Sequence, residues 1–211
     1  MDSKPSLLII GNSNVGKSSI TRLLLPNPKQ FKGKIGKLPG STLLIKPIEQ
    51  EGLPYKIVDL PGFGYVSKSS RRRGEHIKKQ IVLHIEKHYQ NYFFGLVVIN
   101  ILRIKDEIEK YFIHNNETVP LSFELTQFLR EFEIPLLLIF NKIDKLSHFD
   151  KLRSIKLFVD SAEKYELNFV PLEDYQIPSK EQIPYLELSA LKKINIGKLK
   201  EIIQKYLQNL F

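Results

Sequence analysis

The chain contains no cysteine. That absence excludes disulfides, zinc–thiolate centres and thiol nucleophiles, and it fits a reducing compartment. Long apolar runs are missing as well. The longest, at 93–102 and 134–140, have the length of strands rather than of a membrane-spanning helix. The chain enters an apolar segment within six residues and has no cleavage-site pattern. Neither a signal peptide nor a membrane span is expected, and the expected location is the cytoplasm. No internal repeat or low-complexity linker interrupts the 211 residues, so one domain over 1–211 is the economical expectation.

What is present suffices for a full core, with 42% hydrophobic and 26% charged residues. The net charge is +9, a balance that suits phosphate-rich partners such as nucleic acid, or else a lysine-rich solvated surface. Strands and helices alternate, the pattern of a mostly parallel α/β sheet. A strand at 6–10 leads to a helix at 17–25. A basic stretch at 26–42 reads as a mobile loop, and segments 43–48 and 55–58 around Glu51-Gly52 read as a hairpin. A second loop covers 60–73. A helix over 74–89 carries Ile77, Ile81 and Ile85 on one face. Then come a strand at 96–102, a helical region at 106–130 interrupted near 115–120, a strand at 136–140 and a helix at 149–165. A proline-containing connection at 170–184, a last strand at 185–188 and a helix at 196–210 complete the chain.

Gly11-Asn12-Ser13-Asn14-Val15-Gly16-Lys17-Ser18 follows the first strand. This G-x-x-x-x-G-K-S pattern between a strand and a helix is a phosphate-binding loop. Its glycines let successive N–H groups point at phosphate oxygens, Lys17 supplies a point charge for the β- and γ-phosphates, and the Ser18 hydroxyl suits Mg²⁺. Ser19 follows in the first turn of the helix whose N-terminal dipole faces the same anion. Asp59-Leu60-Pro61-Gly62 comes after the 55–58 strand, where an Asp can hold Mg²⁺ through water and Gly62 can offer its N–H to a γ-phosphate. Asn141-Lys142-Ile143-Asp144 follows the 136–140 strand. The Asp144 carboxylate matches the N1–H and exocyclic amine of guanine, Asn141 would brace the loop, and the Lys142 stem could lie over the purine ring. Ser189-Ala190 would bring a backbone N–H near guanine O6. An unmet buried donor or acceptor costs about 1–3 kcal/mol, so this set should reject adenine. Thr42 is the expected second Mg²⁺ ligand, with Ser41 or Thr21 as alternatives. His84 and His88, four apart on one helix, read as partly buried structural residues rather than as a metal pair.

Together these motifs resemble the translational GTPase-like class, and more closely the EngB (YihA) family of small GTPases. The resemblance rests on 11–19, 39–42, Val58-Asp59-Leu60-Pro61-Gly62-Phe63-Gly64-Tyr65, and 128–130 through 134–135 to 141–146. The helix interruption with its acidic stretch at 117–124 resembles the archaeal branch. Leu43 and Asn100 depart from the family pattern. The resemblance implies a Ras-like, six-stranded, mostly parallel sheet with helices on both faces. It also implies GTP and GDP binding with Mg²⁺, slow hydrolysis, and a role in ribosome assembly at the large subunit. The family is further associated with cell division and septation.

By analogy with Ras-like enzymes, Lys17, Thr42 and Gly62 would carry catalysis. Phe63 stands where those enzymes have a water-orienting Gln, so unaided hydrolysis should be slow. Asn14 occupies the position of a K⁺-ligating Asn in potassium-activated relatives, making K⁺ a candidate activator. Lys29, Lys32, Lys34 and Lys37, and then Arg71, Arg72, Arg73, Lys78 and Lys79, lie beside the two loops that would respond to nucleotide. They would let GTP gate a grip on ribosomal RNA by a monomeric chain. The competing readings are a non-catalytic GTP-dependent binding module for a protein partner and, against the Asn141–Asp144 element, a nucleic-acid-dependent ATPase.

Overall fold

In the computed structural model, residues 4–31, 45, 47–62, 71–113, 119–176 and 181–209 are described. Six strands form one sheet. They are β1 (Ser6–Gly11), β2 (Lys56–Asp59), β3 (Tyr92–Asn100), β4 (Leu136–Asn141), β5 (Asn168–Pro171) and β6 (Gln182–Leu188). Their order is β2-β1-β3-β4-β6-β5, and every strand pair is parallel. The helices are α1 (Lys17–Leu24), α2 (Arg71–His88), α3 (Ile104–Ile113), α4 (Leu121–Glu131), α5 (His148–Glu163) and α6 (Ile196–Gln208).

Why the central strands read as continuous apolar runs follows from their position: a parallel sheet with crossover helices is buried on both faces. Successive side chains serve opposite cores. Leu8, Ile10, Val97, Ile99, Leu138 and Phe140 join Ile81 and Ile85 of α2, Ile104 and Ile108 of α3, Phe123 and Leu129 of α4, and Phe158 of α5. Leu7, Ile9, Leu96, Val98, Leu137 and Ile139 face the other way, onto Ile20 and Leu24 of α1 and Leu199, Ile203 and Tyr206 of α6. Aromatic rings fill the first core. Phe158 meets Phe123 at 4.9 Å and Phe140 at 5.3 Å, both edge to face. Each such pair adds about 0.5–1.5 kcal/mol beyond the area it buries. On the opposite face the Tyr206 ring stacks on Phe94 at 4.2 Å, and burial pushes its phenol well above the ordinary tyrosine range.

Three elements differ from expectation. The 43–48 hairpin arm reduces, among the described residues, to one antiparallel bridge between Ile48 and Ile57. Residues 43, 44 and 46 lie outside the described residues. The connection expected over 170–184 instead holds the end of β5 and the first part of β6. The 96–102 strand begins earlier, at Tyr92, and its last residues turn into a short 3-10 segment at Ile101–Arg103, which the Asn100 side chain caps by accepting from the Leu102 N–H at 3.2 Å. The helical region does divide, into α3 and α4, with 114–118 outside the described residues.

The order matters for the site. From β1 the chain moves outward to β2, then crosses to β3 on the other side of β1. Such a reversal opens a crevice at the carboxyl ends of the strands, where open α/β sheets bind ligands. The loops after β1, β2, β4 and β6 all emerge at that edge.

Candidate nucleotide site

The loop after β1 is closed by its own lysine. Lys17 is buried, and its Nζ donates to the carbonyls of Gly11 at 2.9 Å and Asn12 at 2.7 Å. Gly16 precedes α1 with φ 105°, and its carbonyl accepts the first helical bonds from Ser19 and Ile20. The glycine is required twice over. Its φ is costly for any side chain, and a Cβ there would lie 2.2 Å from Asn141 Nδ2. Asn14 also has positive φ, 62°, a conformation Asn tolerates better than most residues. The Asn12 side-chain oxygen is buried and accepts no hydrogen bond.

Asp59 ends β2 almost wholly buried, and its Oδ2 accepts from Ser18 Oγ at 3.1 Å. The helix start and the β2 end thereby present two hard oxygen donors at one point. Gly62 follows, packed against the phosphate loop so closely that a Cβ would come within 2.6 Å of Ser13 Cα and 2.7 Å of its N. Thr21 is fully buried and its hydroxyl donates to the Lys17 carbonyl at 3.1 Å. Ser41, Thr42 and Phe63 lie outside the described residues.

The loop after β4 is tied to this one across most of the chain. Asn141 Nδ2 donates to the Val15 carbonyl at 2.7 Å, and Asn141 Oδ1 accepts from Ala190 N–H at 3.1 Å. Lys142, with φ 72°, reaches the Asn14 carbonyl with its Nζ at 2.7 Å. Asp144 has a side chain only 6% exposed. Its Oδ1 accepts from Ser189 Oγ at 2.5 Å, and Ser189 Oγ in turn accepts from Lys192 N–H at 3.0 Å. The Asp144 Oδ2 has Lys145 Nζ at 4.0 Å. Because the Ala190 N–H is already paired with Asn141, a guanine O6 would share that donor.

Supporting residues that the motifs did not reveal hold these loops. Ser189 and Ile194 form an antiparallel bridge that pins the turn between them. Asn195, in a left-handed conformation ahead of α6, donates its Nδ2 to the Glu187 carbonyl at 2.9 Å. The Glu187 carboxylate pairs with Lys151 of α5. Ser147 caps α5 by accepting from the Asp150 N–H at 3.1 Å. Ser147-x-x-Asp150 and an Asn just before an apolar helix are both helix-start signals that the sequence carries. The His84 and His88 rings meet at 4.7 Å, tilted by 44°, on the helix that buries Ile81 and Ile85, and no group of three metal-binding side chains occurs among the described residues. Of the expected basic patch, Lys29, Lys78 and Lys79 are exposed, Lys78 pairing with Glu124 at 3.7 Å. Lys32, Lys34 and Lys37 lie outside the described residues, as do the side chains of Arg71 to Arg73.

A strand–loop–helix phosphate site and a base-side loop, locked together at the switch point of a six-stranded parallel sheet, define a P-loop GTPase with a Ras-like fold. The sequence model of the family described as "50S ribosome-binding GTPase" matches residues 6–142. The chain is 30% identical to the probable GTP-binding protein EngB of Pyrococcus abyssi over 96% of its own length and 86% of the relative. It is 30% identical to that of Methanococcus maripaludis over 81% of its own length and 73% of the relative. A crystal structure of a probable GTP-binding protein engB superposes with TM-score 0.74 at 29% identity, covering 97% of this chain and 99% of that one. The chain belongs to the EngB family of GTP-binding proteins, and its matches include archaeal members. Among the described residues no helix is long and apolar enough to cross a membrane.

Proposed function

We propose that this chain, acting as a single domain over 1–211, is a monomeric cytoplasmic GTPase switch in assembly of the large ribosomal subunit, linked through that role to cell division and septation. The observation that carries the nucleotide part is the lock between loops. Asn141 and Lys142, from the base side, bond the carbonyls of Val15 and Asn14 on the phosphate side. Base recognition and phosphate binding are therefore mechanically one unit.

In this reading Gly11, Asn12, Ser13, Asn14, Val15, Gly16, Lys17, Ser18 and Ser19 surround the phosphates. Lys17 exchanges its two loop carbonyls for phosphate oxygens, keeping its charge paired throughout. Asp144, backed by Ser189, accepts the two guanine donors, while Asn141, Lys142 and Ala190 hold the base plane. The Ser18–Asp59 pair fits Mg²⁺, which takes oxygen ligands and usually retains waters and substrate phosphates rather than an all-protein cage. When bound, the ion neutralises charge on the transferred phosphoryl group. Thr42 is the proposed second ligand. Gly62, seated on Ser13, would give up its packing there to meet a γ-phosphate, so the two nucleotide states would differ in the segment that follows.

Hydrolysis without a partner is slow in this reading, since Phe63 offers no hydrogen bond to an attacking water. K⁺ held at Asn14 would supply the missing positive charge. Turnover is expected to rise about tenfold or more when K⁺ replaces Na⁺, the scale of a positioned charge in a catalytic site. Asn14→Ala should abolish that difference. Equal rates in the two salts would remove potassium from the mechanism.

The ribosomal part is supported by the +9 charge and by exposed Lys29, Lys78 and Lys79. Co-sedimentation with large-subunit particles tests it, comparing a non-hydrolysable GTP analogue with GDP across a salt series. The GTP-state protein is expected to pellet at moderate salt and the GDP state to remain free, with affinity falling steeply as salt rises. Equal pelleting of both states, washing off together, would mean non-specific charge attraction and would sink the ribosomal reading.

A further inference from the structure

Two cavities adjoin at Leu121 and Leu125 of α4, the first of them beside the phosphate loop, on the face of the sheet away from α1 and α6. The first, of about 410 Å³, is bounded by Asn12 and Ser13 of the loop, the end of β3, and α3 and α4. The second, of about 270 Å³, lies between α2 and α4. Leu121 and Leu125 line both, so the two run together as one groove along α4. That helix has 11 residues, which makes the groove roughly 16 Å long. Val82 and Phe128 continue its apolar floor.

Among the described residues the rim is net acidic. Asp106, Glu107, Glu124 and Glu131 line the groove beside the cations Arg103 and Lys78, in a chain whose net charge is +9. Glu124 and Glu131 stand seven residues apart on one face of α4, two turns along the wall. Lys78 of α2 reaches across to Glu124 at 3.7 Å, with both side chains about half exposed. Four carboxylates repel a phosphate backbone and attract ammonium and guanidinium groups, and apolar floors with charged rims are how grooves take amphipathic helices.

We infer that this groove docks a basic amphipathic peptide segment of a protein partner, its apolar side chains on Leu121, Leu125 and Phe128 and its cations on Glu124 and Glu131. Lys78 occupies the same carboxylate that the peptide would use and so competes with it. The inner end of the groove touches Asn12 and Ser13, and Ser13 is the residue on which Gly62 is packed. A docked segment therefore abuts the part of the site that must rearrange with the nucleotide. The surface adjoins the basic one proposed for RNA, with Lys78 at their common border, and its test needs neither ribosomes nor hydrolysis.

The probe is a fluorescein-labelled 14-residue helix-forming peptide of leucine and lysine, with a leucine–glutamate counterpart, titrated into the GDP-loaded chain. Binding is read by anisotropy and by the methyl NMR signals of Leu121 and Leu125. The lysine peptide is expected to move those methyls and the glutamate peptide to leave them in place. Glu124→Gln combined with Glu131→Gln should weaken binding about fivefold, and Lys78→Met should tighten it about threefold, the size of exposed charge pairs. Opposite signs from two variants of the same rim would not arise from a general loss of fold. Affinity indifferent to both variants, or binding that leaves the two methyls unmoved, would overturn the inference. An RNA hairpin that moves the same methyls and displaces the peptide would also overturn it, and would make the groove a nucleic-acid surface.

Discussion

Asp144→Asn is expected to cost this protein its preference for guanine, with GTP and GDP affinity falling about 10²–10³-fold. The carboxylate offers acceptors to both N1–H and the exocyclic amine, and hydrogen bonds to a charged group contribute about 1.5–3 kcal/mol each. An amide keeps one acceptor and turns a donor toward the second position, where it meets another donor. The loop itself should survive, because the amide oxygen can still accept from Ser189 Oγ, the bond that Asp144 Oδ1 makes now. A base carrying a carbonyl in place of the exocyclic amine suits the amide, so xanthosine diphosphate should bind the variant at least tenfold better than GDP. Competition of both nucleotides against a fluorescent GDP measures the exchange. Unchanged GDP affinity in a folded variant would mean that Asp144 does not read the base.

The second large effect is expected from Gly16→Ala. The added methyl would need both a φ of 105° and a position 2.2 Å from Asn141 Nδ2, and neither neighbour can yield freely. Asn141 is held by Val15 on one side and Ala190 on the other. Pushing it aside breaks the lock between the phosphate and base loops. Overpacking of this kind costs about 1–3 kcal/mol of stability, and nucleotide affinity should fall more than about 100-fold because two anchoring bonds go with it. Gly52→Ala supplies the control. Its φ is 78°, but nothing lies within 4 Å of the new Cβ, so only backbone strain remains, about 1 kcal/mol, and GDP binding should be untouched. Urea midpoints and GDP titrations on the two variants separate strain from collision. Similar GDP affinities for both would show that the Gly16–Asn141 contact carries no weight in the site.

The site motifs were legible because each is a short, ordered string placed at a strand end, and strand ends in a parallel sheet converge. Residues 11–18, 59–62, 141–144 and 189–190 need no knowledge of distant contacts to be found. The edge of the sheet was less readable. Strand β5 is four residues long with Pro171 at its end, and β6 carries Pro184, so the whole interval looks like a connection. Register explains how a proline is accommodated there. Val170 pairs with Pro184 on the β5 side, whereas β4 begins pairing with β6 only at Tyr185. Pro184 has a neighbour on one side only, and its missing N–H costs the ladder nothing. For segment 43–48, the flanking of a Glu51-Gly52 turn suggested a paired arm, and among its described residues Ile48 is the one that pairs. The bonds that Asn195 and Lys151 make were invisible for another reason, although Asn195 stands at a helix start that the sequence signals. Their partners are the carbonyl and carboxylate of Glu187, and the Lys151–Glu187 pair spans 36 positions of sequence.

The bond from Asn141 to Val15 spans 126 positions, and this has a consequence for how the chain matures during synthesis. At about 5–20 residues per second, the phosphate loop is made roughly 6–25 s before the residue that fastens it. Strand β3, which packs against the loop's first glycine, arrives in between, so a nascent chain holds an unfastened phosphate loop until β4 has been made. Tight guanine-nucleotide binding would then begin only after β6 has delivered Ser189 and Ala190.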